Sequence, residues 1–153
     1  MLLAIAGGLV GVGAAAIFVP RALLRRAQDR LASRLLAESG GGWQLLTRAE
    51  LVAGRHRRVP GVLGLTEDAV VFSGLFGESE VLPTARIQKI ATGRRLASGR
   101  KLLRLEMIRF TRSGGDELEF VLAPSSAGAW RSHLGLWAVA ERKSAMDTVK
   151  PGR

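Results

Sequence analysis

The stretch VPGVLGLTEDAVVF, residues 59–72, decides the fold of this chain. Alternate positions from Val59 to Leu65 are apolar or glycine, a polar turn follows at 66–68, and apolar residues resume at Val70 and Phe72. A period of two is typical of β-strands with one buried face, and the polar break between the runs is typical of a tight turn. The sequence therefore predicts two short antiparallel strands here.

The chain after this hairpin continues the pattern. Short strands are predicted at Val81 and at 87–90, and a phase change within 102–111 predicts a bulged or bent strand, with Leu103, Leu105 and Met107 on one side. A turn at 113–116 joins that strand to a partner with alternating apolar positions. A serine N-cap after Pro124 then predicts a helix to about residue 142, whose apolar face holds Ala127, Trp130, Leu134, Trp137 and Ala138.

Strands first and one closing helix last resemble the pleckstrin-homology-like (PH-like) superfamily, in particular the bacterial PH-like and GRAM-type domains. The resemblance covers about residues 51–141. It is carried by Gly61–Thr66 leading into Val70–Phe72, by Val81–Pro83 before Ile87 and Ile90, and by Trp130. It implies a binding or adaptor module. In members that bind phosphoinositides a basic pattern over the first two strands contacts the headgroup, and Arg55 and Arg57 match its Arg-x-Arg portion.

The chain begins with an apolar run. Residues 1–19 carry no charged side chain, and a helix of that length spans about 28 Å, so residues 1–20 are predicted to form a single transmembrane helix. Arginines follow Pro20, which places the C-terminal side in the cytoplasm by the positive-inside rule. A cleaved signal peptide is the alternative, given the small residues at 13–16. A possible helix-dimer face is formed by Gly7, Gly11 and Ala15, although small residues are common in such helices.

Residues 21–42 are predicted to be a basic amphipathic helix and a glycine hinge. Its juxtamembrane basic residues are Arg21, Arg25, Arg26, Arg30 and Arg34. Either the helix lies on lipid headgroups, or its leucines pack on the following domain. The expected fold class is thus α+β, mostly β: a transmembrane helix, then a small antiparallel β-roll or barrel at 43–142 closed by the C-terminal helix, and a disordered tail at 143–153.

The composition limits the classes of function that are open to this chain. The net charge of +10 points to an anionic partner, and the chain has no cysteine. The two histidines, His56 and His133, have no neighbour at metal-ligand spacing, and the sequence contains no P-loop and no nucleophile beside a base. We therefore expect no enzyme activity, no metal and no cofactor. Nucleic acid is disfavoured because the sheet offers no exposed aromatic pair for base stacking.

Two basic clusters remain as candidate lipid- or anion-binding sites. The first is Arg55, Arg57 and Arg58, and the second is Arg94, Arg95, Arg100 and Lys101. Arginine binds phosphate oxygens in a bidentate manner, so two such loops on one rim of a barrel would suit an anionic headgroup. The first hypothesis is a single-pass cell-membrane protein whose cytoplasmic PH-like domain is an adaptor that contacts anionic lipid. The second is a protein-interaction subunit or scaffold that offers a strand edge or groove to a partner protein. That partner could be a second copy of the chain, which would make a homodimer.

Overall fold

The fold was taken from a computed structural model, which describes residues 20–135. Helix α1 (Arg21–Glu38) comes first, and a helix that starts at residue 124, here α2, reaches the last described residue. Between them lie strands β1 (Leu45–Ala53), β2 (Arg57–Leu65), β3 (Ala69–Gly74), β4 (Ser79–Pro83), β5 (Ile87–Gly93), β6 (Glu106–Arg112) and β7 (Glu117–Leu122). They form one antiparallel seven-stranded sheet in the order β4-β3-β2-β1-β7-β6-β5.

The two edge strands of this sheet are joined by a single 3₁₀ turn, Thr84–Arg86. In a flat seven-stranded sheet the edges would lie about 29 Å apart, whereas the chain from Pro83 to Ile87 reaches at most about 14 Å. The sheet therefore has to curl until β4 and β5 are close. Arg112 on β6 reaches across to β4, where its Nη2 lies 2.8 Å from Glu80 Oε2.

The concave face of the curled sheet encloses the core. Phe110 packs edge-on against Phe120 and against Trp130, with ring centroids 6.0 and 6.3 Å apart, and Phe72 lies 5.4 Å from Phe120. Trp130 comes from α2 and is 0% exposed, so this helix covers an open end of the roll. The predicted core role of Trp130 is confirmed, while Trp137 lies outside the described residues.

Helix α1 packs on the convex face of β1 and β2. The Gln28 side-chain amide donates to the carbonyl oxygens of Ala49 (3.1 Å) and Gly61 (2.7 Å), which are partners across β1 and β2. Trp43 folds back so that its indole N–H donates to Leu35 O at 3.1 Å, and its ring occupies the space that a Cβ at Gly64 would need. These contacts favour packing on the domain over the alternative in which the helix lies free on a membrane.

The predicted fold class is corrected by these findings. Within residues 20–135 no helix is both long and apolar enough to span a membrane, and the first helix described, α1, carries the five predicted juxtamembrane arginines. Residues 1–19, with Gly7, Gly11 and Ala15, lie outside the described part, as does the tail predicted at 143–153. The sheet is also open, because the described strands β4 and β5 form no ladder with each other.

The tight approach of β2 to β3 gives a test of the fold. A Cβ at Gly61 would meet Ser73 O and the Phe72 ring, and would lie 2.8 Å from Gly74 Cα. Two of these atoms are backbone and cannot swing aside, so we expect Gly61→Ala to lower the free energy of unfolding by about 1–3 kcal/mol. Urea unfolding followed by tryptophan fluorescence measures this change.

The matched control is Gly128→Ala on α2, where a Cβ meets nothing within 4 Å. This second exchange should raise the stability by up to about 1 kcal/mol, because alanine favours a helix over glycine. Equal midpoints for the two variants would contradict the packing of β2 against β3 described here.

Candidate functional site

The first predicted basic cluster lies at the turn between β1 and β2. Arg55 is exposed in the turn itself. Arg57 Nη2 lies 2.7 Å from Glu78 Oε1, and Arg58 Nη1 lies 3.3 Å from Glu50 Oε2. Two of the three arginines are therefore already paired with carboxylates, and an anion would have to compete for them.

The second cluster lies on the loop from residue 94 to residue 105, the β5–β6 loop. The loop doubles back as a small hairpin: Leu102 N donates to Arg94 O (2.7 Å), Leu96 N donates to Arg100 O (3.0 Å), and Gly99 supplies a φ of 83° at the bend. Arg94 lies 3.7 Å from Glu106, but Arg95, Arg100 and Lys101 are exposed and make no ion pair within residues 20–135.

A second apolar cluster holds this loop on the convex face of the sheet. Leu96 and Leu102 are buried there against Met107 of β6 and Val121 of β7. A hydrogen-bonded carboxylate adds to this anchorage, since Glu119 Oε1 accepts from the backbone N–H of Ala97 at 2.8 Å.

Glu119 is itself held in place. It is buried, and Arg109 Nε donates to the same oxygen at 2.9 Å. The loop is thus a fixed platform for its cations.

The sequence did not predict two exposed apolar side chains, one on the β5–β6 loop and one at the β3–β4 turn. Leu103 was expected on the same strand face as Leu105 and Met107, but β6 begins only at Glu106, and Leu103 is 84% exposed between Lys101 and Arg104. Adjacent leucines cannot both face the sheet, so the pair at 102–103 was the available signal. Phe76, at the β3–β4 turn, is 73% exposed.

The structure does not bring the two predicted clusters to one rim. Leu51 pairs with Phe120, so the β1–β2 turn lies beside the β6–β7 turn, at one end of the sheet. The β5–β6 loop joins β6 at the opposite end and folds over the convex face. The third basic group, Arg21, Arg25, Arg26, Arg30 and Arg34, is exposed along α1.

The described residues contain no group of three or more His, Cys, Asp or Glu side chains placed to hold a metal ion. That the protein is not an enzyme stays a prediction.

Comparison with known proteins bears on the fold alone. No family model and no curated protein matches the sequence. The C-terminal domain of an unknown protein from Leishmania infantum is similar in structure, with a TM-score of 0.54 at 12% identity over 72% of this chain and 97% of that domain. The pleckstrin homology domain of USP37 aligns with a TM-score of 0.45 at 16% identity, over 64% of this chain and 96% of that domain.

Antiparallel strands followed by a closing helix are the PH-like order of elements that the sequence predicted. Neither a GRAM-type assignment nor a bacterial origin receives support.

The anchoring of the β5–β6 loop predicts the effect of Glu119→Gln. Glutamine keeps an acceptor oxygen but not the charge, which lowers the contribution of this hydrogen bond from about 1.5–3 to about 0.5–1.5 kcal/mol, so amide exchange at Ala97 should accelerate by about fivefold to tenfold. Hydrogen–deuterium exchange monitored by NMR measures the exchange rate of the Ala97 amide.

Glu117→Gln is the control, because Glu117 also lies near Arg109 (3.5 Å) but is more exposed and is not the acceptor for the Ala97 N–H. Equal acceleration in both variants would mean that Glu119 does not anchor the loop.

Proposed function

We propose that this domain is a non-enzymatic binding module that docks on an anionic membrane surface through the β5–β6 loop. The observation that carries the proposal is the exposure of Leu103, 84%, among Arg95, Arg100, Lys101 and Arg104, four cations that make no ion pair within residues 20–135. An apolar side chain surrounded by cations suits the boundary between headgroups and acyl chains, where both kinds of group find partners.

The expected strength of membrane binding follows from the typical contributions of the groups on this loop. A cation near an anionic leaflet contributes about 1 kcal/mol, and burial of a leucine side chain contributes about 1.5–3 kcal/mol. Four cations and one leucine therefore supply about 6 kcal/mol before the cost of ordering, which corresponds to a dissociation constant on the order of 10–100 µM. Such a contact is reversible.

The target is proposed to be the cytoplasmic leaflet, which carries the anionic lipids. The four cations are exposed on the surface, so the loop is expected to respond to the density of negative charge and not to one headgroup. The first cluster is less suited to this role, because Arg57 and Arg58 are paired with Glu78 and Glu50.

The absence of cysteine from the sequence allows a direct test with a single label. In Leu103→Cys, an environment-sensitive fluorophore should shift to the blue and brighten with phosphatidylcholine vesicles that contain about one third phosphatidylserine, and should not respond to phosphatidylcholine alone. Raising the salt from about 0.1 M to about 1 M, which shortens the Debye length from about 10 to about 3 Å, should remove the response.

Two controls make this test specific. The same label in Phe76→Cys reports on the other exposed apolar side chain and should stay unchanged. In the labelled Leu103→Cys chain, Arg100→Glu with Lys101→Glu should weaken the response at least tenfold, while Arg57→Glu with Arg58→Glu, the same change of net charge, should weaken it much less. A blue shift at position 76 and none at position 103 would overturn the proposal.

A further inference from the structure

Strand β1 has a free edge over half of its length. It pairs with β2 at all nine of its residues, from Leu45 to Ala53. On its other side it pairs with β7 only at Glu50 and Leu51, because β7 ends at Leu122 and the chain then turns into α2.

The backbone groups on that free edge can be assigned from the alternation of an antiparallel strand. Gln28 reaches the carbonyls of Ala49 and Gly61 between β1 and β2, and Leu75 N donates to Pro60 O on the β3 side of β2. Residues of β1 in phase with Ala49 therefore point their backbone groups toward β2, and the others point away from it. Leu46 and Arg48 belong to the second set, and no described strand lies opposite them.

A groove of about 420 Å³ runs along this edge. The β1 segment 45–48 forms its floor, Asp29 and Ala32 of α1 form one wall, and Ser125, Ser126 and Ala129 of α2 form the other. Four strand residues extend over about 10 Å, which matches an added strand of three or four residues. The two helical walls limit any added strand to this short length.

The groove holds one cation and one anion, Arg48 and Asp29, and the positive charge of the surrounding chain favours an acidic occupant. Arg48 Nε lies 3.6 Å from Asp29 Oδ1, with side chains 50% and 61% exposed. An ion pair this exposed contributes little, so Arg48 is free to exchange Asp29 for a carboxylate of a ligand. The Ser125 and Ser126 hydroxyls are further donors on the opposite wall. The net charge of +10 steers acidic segments toward the domain and repels a second copy of it.

We infer that this β1 groove receives an extended acidic segment of a partner protein, which adds to the free edge of β1 as a short strand. Hydrogen bonds to the backbone of Leu46 and Arg48 supply the attachment. The Arg48 side chain selects for a carboxylate on the added strand, on the same face of the sheet as Arg48 itself. No residue of the β5–β6 loop lines the groove, so this site is independent of the membrane contact.

The test uses the full chain and a fluorescein-labelled peptide of alternating threonine and glutamate. Fluorescence anisotropy should show saturable binding, and NMR of the full chain should show the amide resonances of Leu46 and Arg48 moving downfield as they gain hydrogen bonds. The peptide with lysine in place of glutamate should bind at least tenfold more weakly. A version N-methylated at alternate residues, which retains its carboxylates, should fail to bind.

Variants of the protein locate the site. Ala129→Trp should fill the groove and weaken peptide binding at least tenfold, whereas Ser132→Trp, at an exposed position of the same helix outside the groove, should leave it unchanged. Circular dichroism verifies that both variants fold. Equal binding of the N-methylated peptide, binding that leaves the Leu46 and Arg48 amides unmoved, or no binding of the acidic peptide would each overturn the inference.

Discussion

The three residues Thr84–Arg86 join the two edge strands of the sheet, and the rest of the structure depends on this short connection. Because the link is too short to cross a flat sheet, the strands must roll up, and the rolled sheet acquires one enclosed face and one outward face. The aromatic residues fill the enclosed face, and α2 inserts Trp130 where the roll is open. The ion pair of Arg112 with Glu80 links the two sides of the seam, where no described ladder does.

The outward face explains the position of the basic residues. Val62, Met107 and Val121 point outward and are nevertheless buried, so this face needs a cover. Over β1 and β2 the cover is α1, which is held by Gln28 and Trp43. Over β6 and β7 the cover is the β5–β6 loop, which is held by its leucines and by Glu119. The arginines of both segments then face solvent because the apolar side of each segment is turned to the sheet.

Ion pairing separates the basic clusters into two kinds. At the β1–β2 turn the neighbouring strands supply Glu50 and Glu78, and these carboxylates satisfy Arg58 and Arg57. On the β5–β6 loop, Glu106 is shared by Arg94 and Arg131, and the remaining cations of the loop are left to solvent. The same residue type therefore presents unpaired charge at one place and a nearly neutral surface at the other. The β1 groove is different again, since its attachment points are backbone groups.

The sequence by itself determined the β-rich fold class, the closing helix with Trp130, and the existence of two basic loops, because alternation, turn residues and the helical spacing of apolar residues are local signals. The serine N-cap predicted for α2 was wrong, since the helix begins at residue 124, ahead of both serines. It did not determine that the sheet stays open, that α1 is packed on β1 and β2, or that Leu103 stands exposed. Those features depend on which strands meet and where each ladder stops, and contacts such as Gln28 to Gly61 join residues far apart in the chain. Only the tertiary structure decided which arginines are paired and which edge of β1 is free, because a carboxylate partner or a missing strand partner is a neighbour in space and leaves no pattern along the sequence.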